Sequence, residues 1–212
     1  MRIALLGTGS AGRALATALA RGGHDVVVGT RSPEATAARD DWQGVDLPLL
    51  PLSEVAAGAD LVVNVTNGMA SVEALGQLGS SLDGQVILDV ANPLDFSQGF
   101  PPSLSVKDTD SLAEQIQRAF PAARVVKSLN TVNGAVMLDP IPGTTMFVAG
   151  DDAEARALVV ALLREFGWDD VIEFDSLDAA RGMEMWLPLW VRLVGVLGTP
   201  RFNLAIVRET PA

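Results

Sequence analysis

Cysteine and tyrosine are absent from the 212 residues, and His24 is the sole histidine. Without cysteine there is no disulfide framework, no thiolate nucleophile and no thiolate metal site. Without tyrosine the Tyr-Lys pair of short-chain dehydrogenases is excluded. His24 stands in Gly22-Gly23-His24-Asp25, between the first helix and the second strand, so a structural role is expected and no metal site is. Basic charge is scarce too: 15 Lys and Arg against 26 Asp and Glu give a net charge of −11. Nucleic-acid grooves and anionic membrane surfaces need clustered cations, so neither is an expected partner. Long uncharged runs are also missing. The most apolar stretch, 177–198, reads as one helix but carries Glu184, Pro188 and Arg192, short of the roughly 20 apolar residues that span a bilayer. With a strand beginning at Arg2, no secretory leader is expected and a cytoplasmic protein is.

What remains is a chain that is 49% hydrophobic, enough for one filled core. Strand signals at 2–7, 25–30, 47–50, 61–65, 85–90, 124–130, 145–150 and 170–175 alternate with helical ones. Such alternation predicts an α/β fold with a doubly wound parallel sheet of the Rossmann type, followed by a short C-terminal helical extension. The expected division is 1–175 for nucleotide binding and 176–212 for the extension. Met183, Met185, Trp186, Leu189, Trp190 and Leu193 crowd that extension, and their apolar surface suits either the sheet edge or a homodimer contact.

Gly7, Gly9 and Gly12 form GTGSAG directly after the apolar run Ile3-Ala4-Leu5-Leu6. The motif sits in a strand, turn, helix, strand unit, the context in which it signals dinucleotide binding. Gly7 would permit the tight turn, Gly9 the approach of a pyrophosphate, and Gly12 close packing of the helix on the sheet. Thr8, Ser10 and Ala11 complete the loop, whose backbone donors would face phosphates. At the end of the second strand no acid falls between Val26 and Ser32; Arg31 stands there between Thr30 and Ser32. An acid would select NAD through the ribose 2′-hydroxyl, whereas a guanidinium with two hydroxyls suits the 2′-phosphate of NADP.

The strands Leu61-Val62-Val63-Asn64-Val65 and Val86-Ile87-Leu88-Asp89-Val90 end in Thr66-Asn67 and Asn92-Pro93. At the carboxyl ends of parallel strands such residues are placed to contact ribose and nicotinamide, although they serve equally as turn and cap residues. From Asn92 to Ser111 no period is evident, and the stretch reads as a loop carrying Phe96 and Phe100. Lys127 falls in mid-strand, where a structural role is expected, and no catalytic residue can be assigned. A missing proton donor disfavours alcohol chemistry. Hydride exchange between two cofactors needs alignment above all, so a flavin-like partner fits better.

The opening MRIALLGTGSAG, the GTRSPE segment, VKSLNTV and the terminal LGTPRFNLAIVR together resemble the NADP oxidoreductases dependent on coenzyme F-420. They are also similar to the cytoplasmic NADPH-binding domain of six-transmembrane ferric reductases. The resemblance implies NADPH held by the glycine turn and by Thr30, Arg31 and Ser32, with a deazaflavin stacked on the nicotinamide. By position, Asn130, Thr131 and Asn133 would border that second site. The archaeal deazaflavin enzymes carry a His-Thr-containing segment where Leu129-Asn130-Thr131 stands here, which leaves the acceptor open. Reduction of a small carbonyl or imine, with Lys127 or Asn130 handling the proton, and a non-catalytic NADPH sensor are the alternatives.

Overall fold

The computed structural model describes residues 1–209. Ten strands are found among them: β1 (Arg2–Leu6), β2 (Asp25–Thr30), β3 (Leu49–Pro51), β4 (Leu61–Asn64), β5 (Val86–Asp89), β6 (Leu94–Asp95), β7 (Ser103–Leu104), β8 (Arg124–Ser128), β9 (Thr145–Ala149) and β10 (Asp170–Phe174). Helices intervene as α1 (Ser10–Arg21), α2 (Pro33–Ala37), α3 (Leu52–Val55), α4 (Ser71–Gly76), α5 (Leu112–Ala119), α6 (Gly134–Leu138) and α7 (Ala153–Glu165), followed by α8 (Ala180–Met185) and α9 (Leu187–Leu197).

Eight strands form one sheet in the order β10-β9-β8-β5-β4-β1-β2-β3. The six strands from β3 to β8 run parallel, and the order reverses at β1 and β4, which makes this a doubly wound Rossmann sheet. Along β1 the side chains alternate: Ile3 and Leu5 join the layer under α1 and α7, while Ala4 and Leu6 join the layer under α3 and α5. Burial on both faces explains the near-continuous apolar strands.

The alternation predicted a parallel sheet throughout, and one pairing departs from it. β9 pairs with β8 antiparallel, through Lys127 with Ala149 and Ser128 with Val148, and β10 then follows β9 in parallel. The only helix in the β8–β9 connection is the five-residue α6. At 1.5 Å per residue it rises about 7–8 Å, too little to carry the chain back along a strand of five residues. β9 therefore starts from the end at which β8 finishes.

The expected structureless segment after Asn92 holds a short antiparallel hairpin, β6 with β7, which a sequence period cannot reveal at two residues per strand. Nor is 177–198 one helix. A 3-10 turn (Leu177–Ala179) leads into α8, and α9 restarts after Trp186 with Pro188 in its first turn, where a missing N–H is tolerated. Leu177, Ala180, Met183 and Leu187 are buried, while Leu189, Val196 and Leu197 are exposed. The segment after α9 returns to β9, where Thr145 N donates to Leu204 O at 2.9 Å and Asn203 Nδ2 donates to Thr145 O at 3.0 Å. No helix among the described residues is long and apolar enough to cross a membrane.

Candidate functional site

The turn from β1 into α1 admits only glycine at two points. Gly7 has φ +126°, and a Cβ there would collide with the Val65 carbonyl at the end of β4; a Cβ on Gly12 would collide with the Gly7 carbonyl. Gly9 is different, since nothing lies within 4 Å of the Cβ it lacks. It caps α1 with no side-chain hydrogen bond, leaving the first-turn N–H groups available. A cavity of about 550 Å³ opens at this point, bounded by the glycine turn, the end of β2 and Thr66-Asn67.

Arg31 is exposed on its wall and makes no hydrogen bond or ion pair among the described residues. Thr30 and Ser32 also line it, but both hydroxyls have local work. Thr30 Oγ1 shares a 2.8 Å hydrogen bond with Thr36 Oγ1, and Ser32 Oγ caps α2 by accepting from Ala35 N at 3.3 Å. A second arginine on the wall escaped the sequence reading. Arg39 donates to Thr8 Oγ1 at 3.1 Å and to both Asp41 oxygens at 3.0 and 2.7 Å. That bond holds the Asp41 carboxyl below its ordinary range. Trp42 Nε1 donates to Thr8 O at 3.0 Å, and Arg13 donates to Asp41 O, so the 3-10 turn Asp40–Trp42 is sewn to the glycine loop.

Val65, Thr66 and Asn67 also bound a second cavity of about 310 Å³, whose far wall contains Ala11, Asn92, Phe96, Asn130, Asn133 and Trp190. Thr66 Oγ1 donates to the buried Asn64 Oδ1 at 2.7 Å, which commits its hydroxyl proton within the protein. Asn67 Oδ1 accepts from Met69 N at 3.0 Å, and Asn133 Oδ1 caps α6 by accepting from Val136 N at 2.9 Å. Across the ends of β5 and β8, Asn92 Nδ2 donates to Asn130 O and Asn130 Nδ2 donates to Asn92 Oδ1, both at 2.9 Å. Leu129, just before Asn130, has φ +61°, an unusual conformation for a buried leucine.

Four expected contact residues belong to neither wall. Ser10 faces a groove on the outer side of α1 with Arg13 and Arg21, because α1 turns it away from the sheet. Gly12 is buried by its contact with Gly7. Pro93 is buried beneath the β6–β7 hairpin, and its carbonyl accepts from Ser105 N at 2.8 Å. Thr131 is buried under Trp186, whose Nε1 donates to Thr131 O at 3.1 Å.

Below the second cavity lies a charged cluster that the sequence did not disclose as one. Lys127, fully buried, donates to Asp89 Oδ2 at 2.7 Å and to Ala91 O at 2.5 Å, and lies 2.8 Å from Glu184 Oε1. Asp89 accepts from Asn64 Nδ2 at 2.8 Å, and Glu184 accepts from Leu112 N at 2.8 Å and Ala113 N at 3.2 Å. Burial alone would lower the Lys127 ammonium, but the fields of Asp89 and Glu184 outweigh it and raise its pKa. For Glu184 burial dominates and pushes the carboxyl up, against the pull of Lys127. His24, remote from both cavities, lies 2.8 Å from Glu165 of α7.

Residues 2–93 match the family model for coenzyme F-420-dependent NADP oxidoreductases. A crystal structure from Arthrobacter sp. FB24, of a protein assigned as an F-420-dependent NADP reductase, is 49% identical with a TM-score of 0.94, over 98% of this chain and 100% of that one. The F-420-dependent NADP reductase of Methanocaldococcus jannaschii is 27% identical across 91% of this chain and 92% of its own length. Rat metalloreductase STEAP3 is 30% identical over 89% of this chain, which spans 38% of that longer protein. The chain belongs to the coenzyme F-420-dependent NADP oxidoreductase family, and its chemistry is that of an NADP-dependent oxidoreductase.

Proposed function

We propose that this protein transfers a hydride between NADP(H) and coenzyme F-420 or a related flavin. The observation that carries the reading is the pair of cavities meeting at Val65, Thr66 and Asn67, one beside the glycine turn and one edged by asparagines and aromatic rings. The residues of the first fit an NADP adenylate: an unobstructed backbone at Gly9, free N–H groups at the start of α1, and an Arg31 with no partner among the described residues. When bound, the nicotinamide supplies or receives the hydride, and the chain's task is alignment and exclusion of water.

In this reading Gly7, Thr8 and Gly9 hold the pyrophosphate, Arg31 grips the 2′-phosphate in a charge-assisted fork, and Ser32 donates to the same group. Thr66, Asn67, Asn92 and Ala11 line the path toward the ring, while Asn130 and Asn133 border the hydride partner. Phe96 and Trp190 offer flat apolar surface to a planar acceptor. Thr30 supports this clamp through its backbone, Gly12, Pro93 and Thr131 back the walls from behind, and Ser10 contributes its backbone N–H alone. Reduced deazaflavin and NADP yield the oxidised deazaflavin, NADPH and one proton, which solvent can take.

Lys127 argues against carbonyl or imine reduction, the runner-up. Its three protons are directed to Asp89, Ala91 and Glu184, and it belongs to neither cavity wall, which leaves it poorly placed to serve a substrate oxygen. A homodimer through α9 is supported by exposed Leu189, Val196 and Leu197, and sedimentation would read it directly. The function itself is tested by anaerobic stopped-flow mixing of NADPH-loaded protein with F-420, FMN or FAD while following nicotinamide absorbance. Rapid oxidation by one of them supports the reading; silence with all three removes it and favours a sensor.

A further inference from the structure

The head group of Asn130 is satisfied on one side only. The residue is 1% exposed; its Nδ2 donates to Asn92 Oδ1 at 2.9 Å and to Met183 O at 3.1 Å, while Oδ1 has no donor among the described residues. Turning the amide over would set its oxygen against two acceptors, because Asn92 is itself fixed by donating to Asn130 O. Buried acceptors are normally paired, so an orphan held in place by two hydrogen bonds calls for a donor from outside the protein. The preceding Leu129, at φ +61°, is a second local departure, and such departures persist where surrounding structure enforces them. Both sit where β8 delivers the chain to the wall of the second cavity.

We infer that Asn130 is a specificity-determining residue whose Oδ1 accepts a hydrogen bond from an amide-type N–H of the redox pair in this cavity. The inference rests on the reading above, in which the hydride-exchanging rings meet there. Two groups bring such an N–H: the carboxamide of nicotinamide, and the imide of a flavin or deazaflavin pyrimidinedione. Oδ1 can only accept, so a group offering a carbonyl alone meets repulsion at this point.

Equilibrium binding to the whole protein distinguishes the two sources. One arm compares NADPH with its 3-acetylpyridine analogue, which keeps the carbonyl and lacks the N–H; the other compares F-420 with its N3-methylated form. At least one analogue should bind wild type about tenfold more weakly than its parent, and Asn130→Ala should bring that pair to equal affinity. Binding of 2′,5′-ADP, which reports only the adenylate end, should stay unchanged in the variant and certifies its fold. Asn130→Ser repeats the comparison if alanine does not fold. Wild type that holds both analogues as tightly as their parents overturns the inference, as does discrimination that survives in the variants. Failure of wild type to bind NADPH or 2′,5′-ADP at all removes the underlying reading and the inference together.

Discussion

Glu184 of α8 lies 2.8 Å from Lys127 of β8, and that ion pair pins the C-terminal helices to the middle of the sheet. Asp89 takes the other side of the ammonium, and the start of α5 donates two backbone hydrogen bonds to Glu184. Leu187 and Trp190 of the following helix, α9, form part of the second cavity's wall. Removing one partner of a buried charge pair leaves the others uncompensated, at a cost of about 3–5 kcal/mol. Lys127→Met is therefore expected to lower unfolding stability by that amount, and Glu184→Gln, which keeps an acceptor, by less. Urea unfolding midpoints check this. A Lys127→Met protein within about 1 kcal/mol of wild type would contradict it, since measured buried pairs lie well above that.

The same cluster has an alkaline signature. A cation whose pKa is raised on folding contributes stability that is complete below its unfolded value and is lost as pH climbs through the folded one. For Lys127 the ordinary value is 10.5, so the gap between wild type and Lys127→Met should hold from neutrality to that pH and narrow above it. Stability profiles from pH 7 upward show whether it does; a gap already shrinking near neutrality would speak for some other group.

Arg31→Ala should discriminate between the two nicotinamide dinucleotides. Loss of one charge-assisted hydrogen bond costs roughly 1.5–3 kcal/mol, so NADPH binding should weaken by about one to two orders of magnitude while NADH binding barely moves. Fluorescence titration of both nucleotides reads the ratio. Equal loss for both would count against a 2′-phosphate clamp at this position.

Gly12→Ala forces a methyl group into the Gly7 carbonyl, and backbone on both sides leaves nothing soft to yield. Overpacking of this kind costs about 1–3 kcal/mol and should displace the glycine turn, weakening NADPH and NADH alike. The contrast is Gly9→Ala, whose methyl meets no protein atom within 4 Å and so should leave unfolding stability nearly intact while obstructing the nucleotide. Thermal melts with and without NADPH separate the two; identical melts for both apo variants would defeat the argument.

On the acid side, Arg181 pairs with Glu114 at 2.5 Å, and this hydrogen bond holds the Glu114 carboxyl below its ordinary 4.5 against the opposing effect of burial. A lowered carboxylate pKa gives stability that is present above the unfolded value and lost as pH falls through the folded one. Arg181→Ala should consequently be less stable than wild type at neutral pH, with the difference fading below about pH 4.5. Acid titrations followed by circular dichroism would show the two curves converging, and parallel curves down to the lowest pH would exclude the pair as the source.

Local chemistry was legible along the chain. Gly7 and Gly12 could be recognised because a strand, a tight turn and a helix follow within a dozen residues, and backbone crowding there does not depend on the rest of the fold. All eight strands of the main sheet could be placed from the sequence; the six inner ones read as apolar runs because burial on both faces leaves little room for polar residues, while the edge strands β3 and β10 are only partly buried. Arg31 stood out for a similar reason: the end of β2 normally carries an acid when NAD is bound.

Other features arose only when distant segments met. Nothing near Arg39 in the sequence shows that it reaches Thr8, 31 residues away, and nothing around Lys127 names Glu184 as its partner. Leu112 and Glu184, joined by a hydrogen bond, are 72 residues apart. The reversed β9 and the orphaned oxygen of Asn130 belong to the same class. Amino-acid order alone determined which segments become the strands of the sheet, the glycine turn and the place of a cation, Arg31, just past the end of β2, because propensity, periodicity and turn geometry act over a few residues. Tertiary structure decided which buried charges neutralise one another and which polar atom is left over, because desolvation and hydrogen-bond satisfaction depend on what the whole fold brings within about 3 Å.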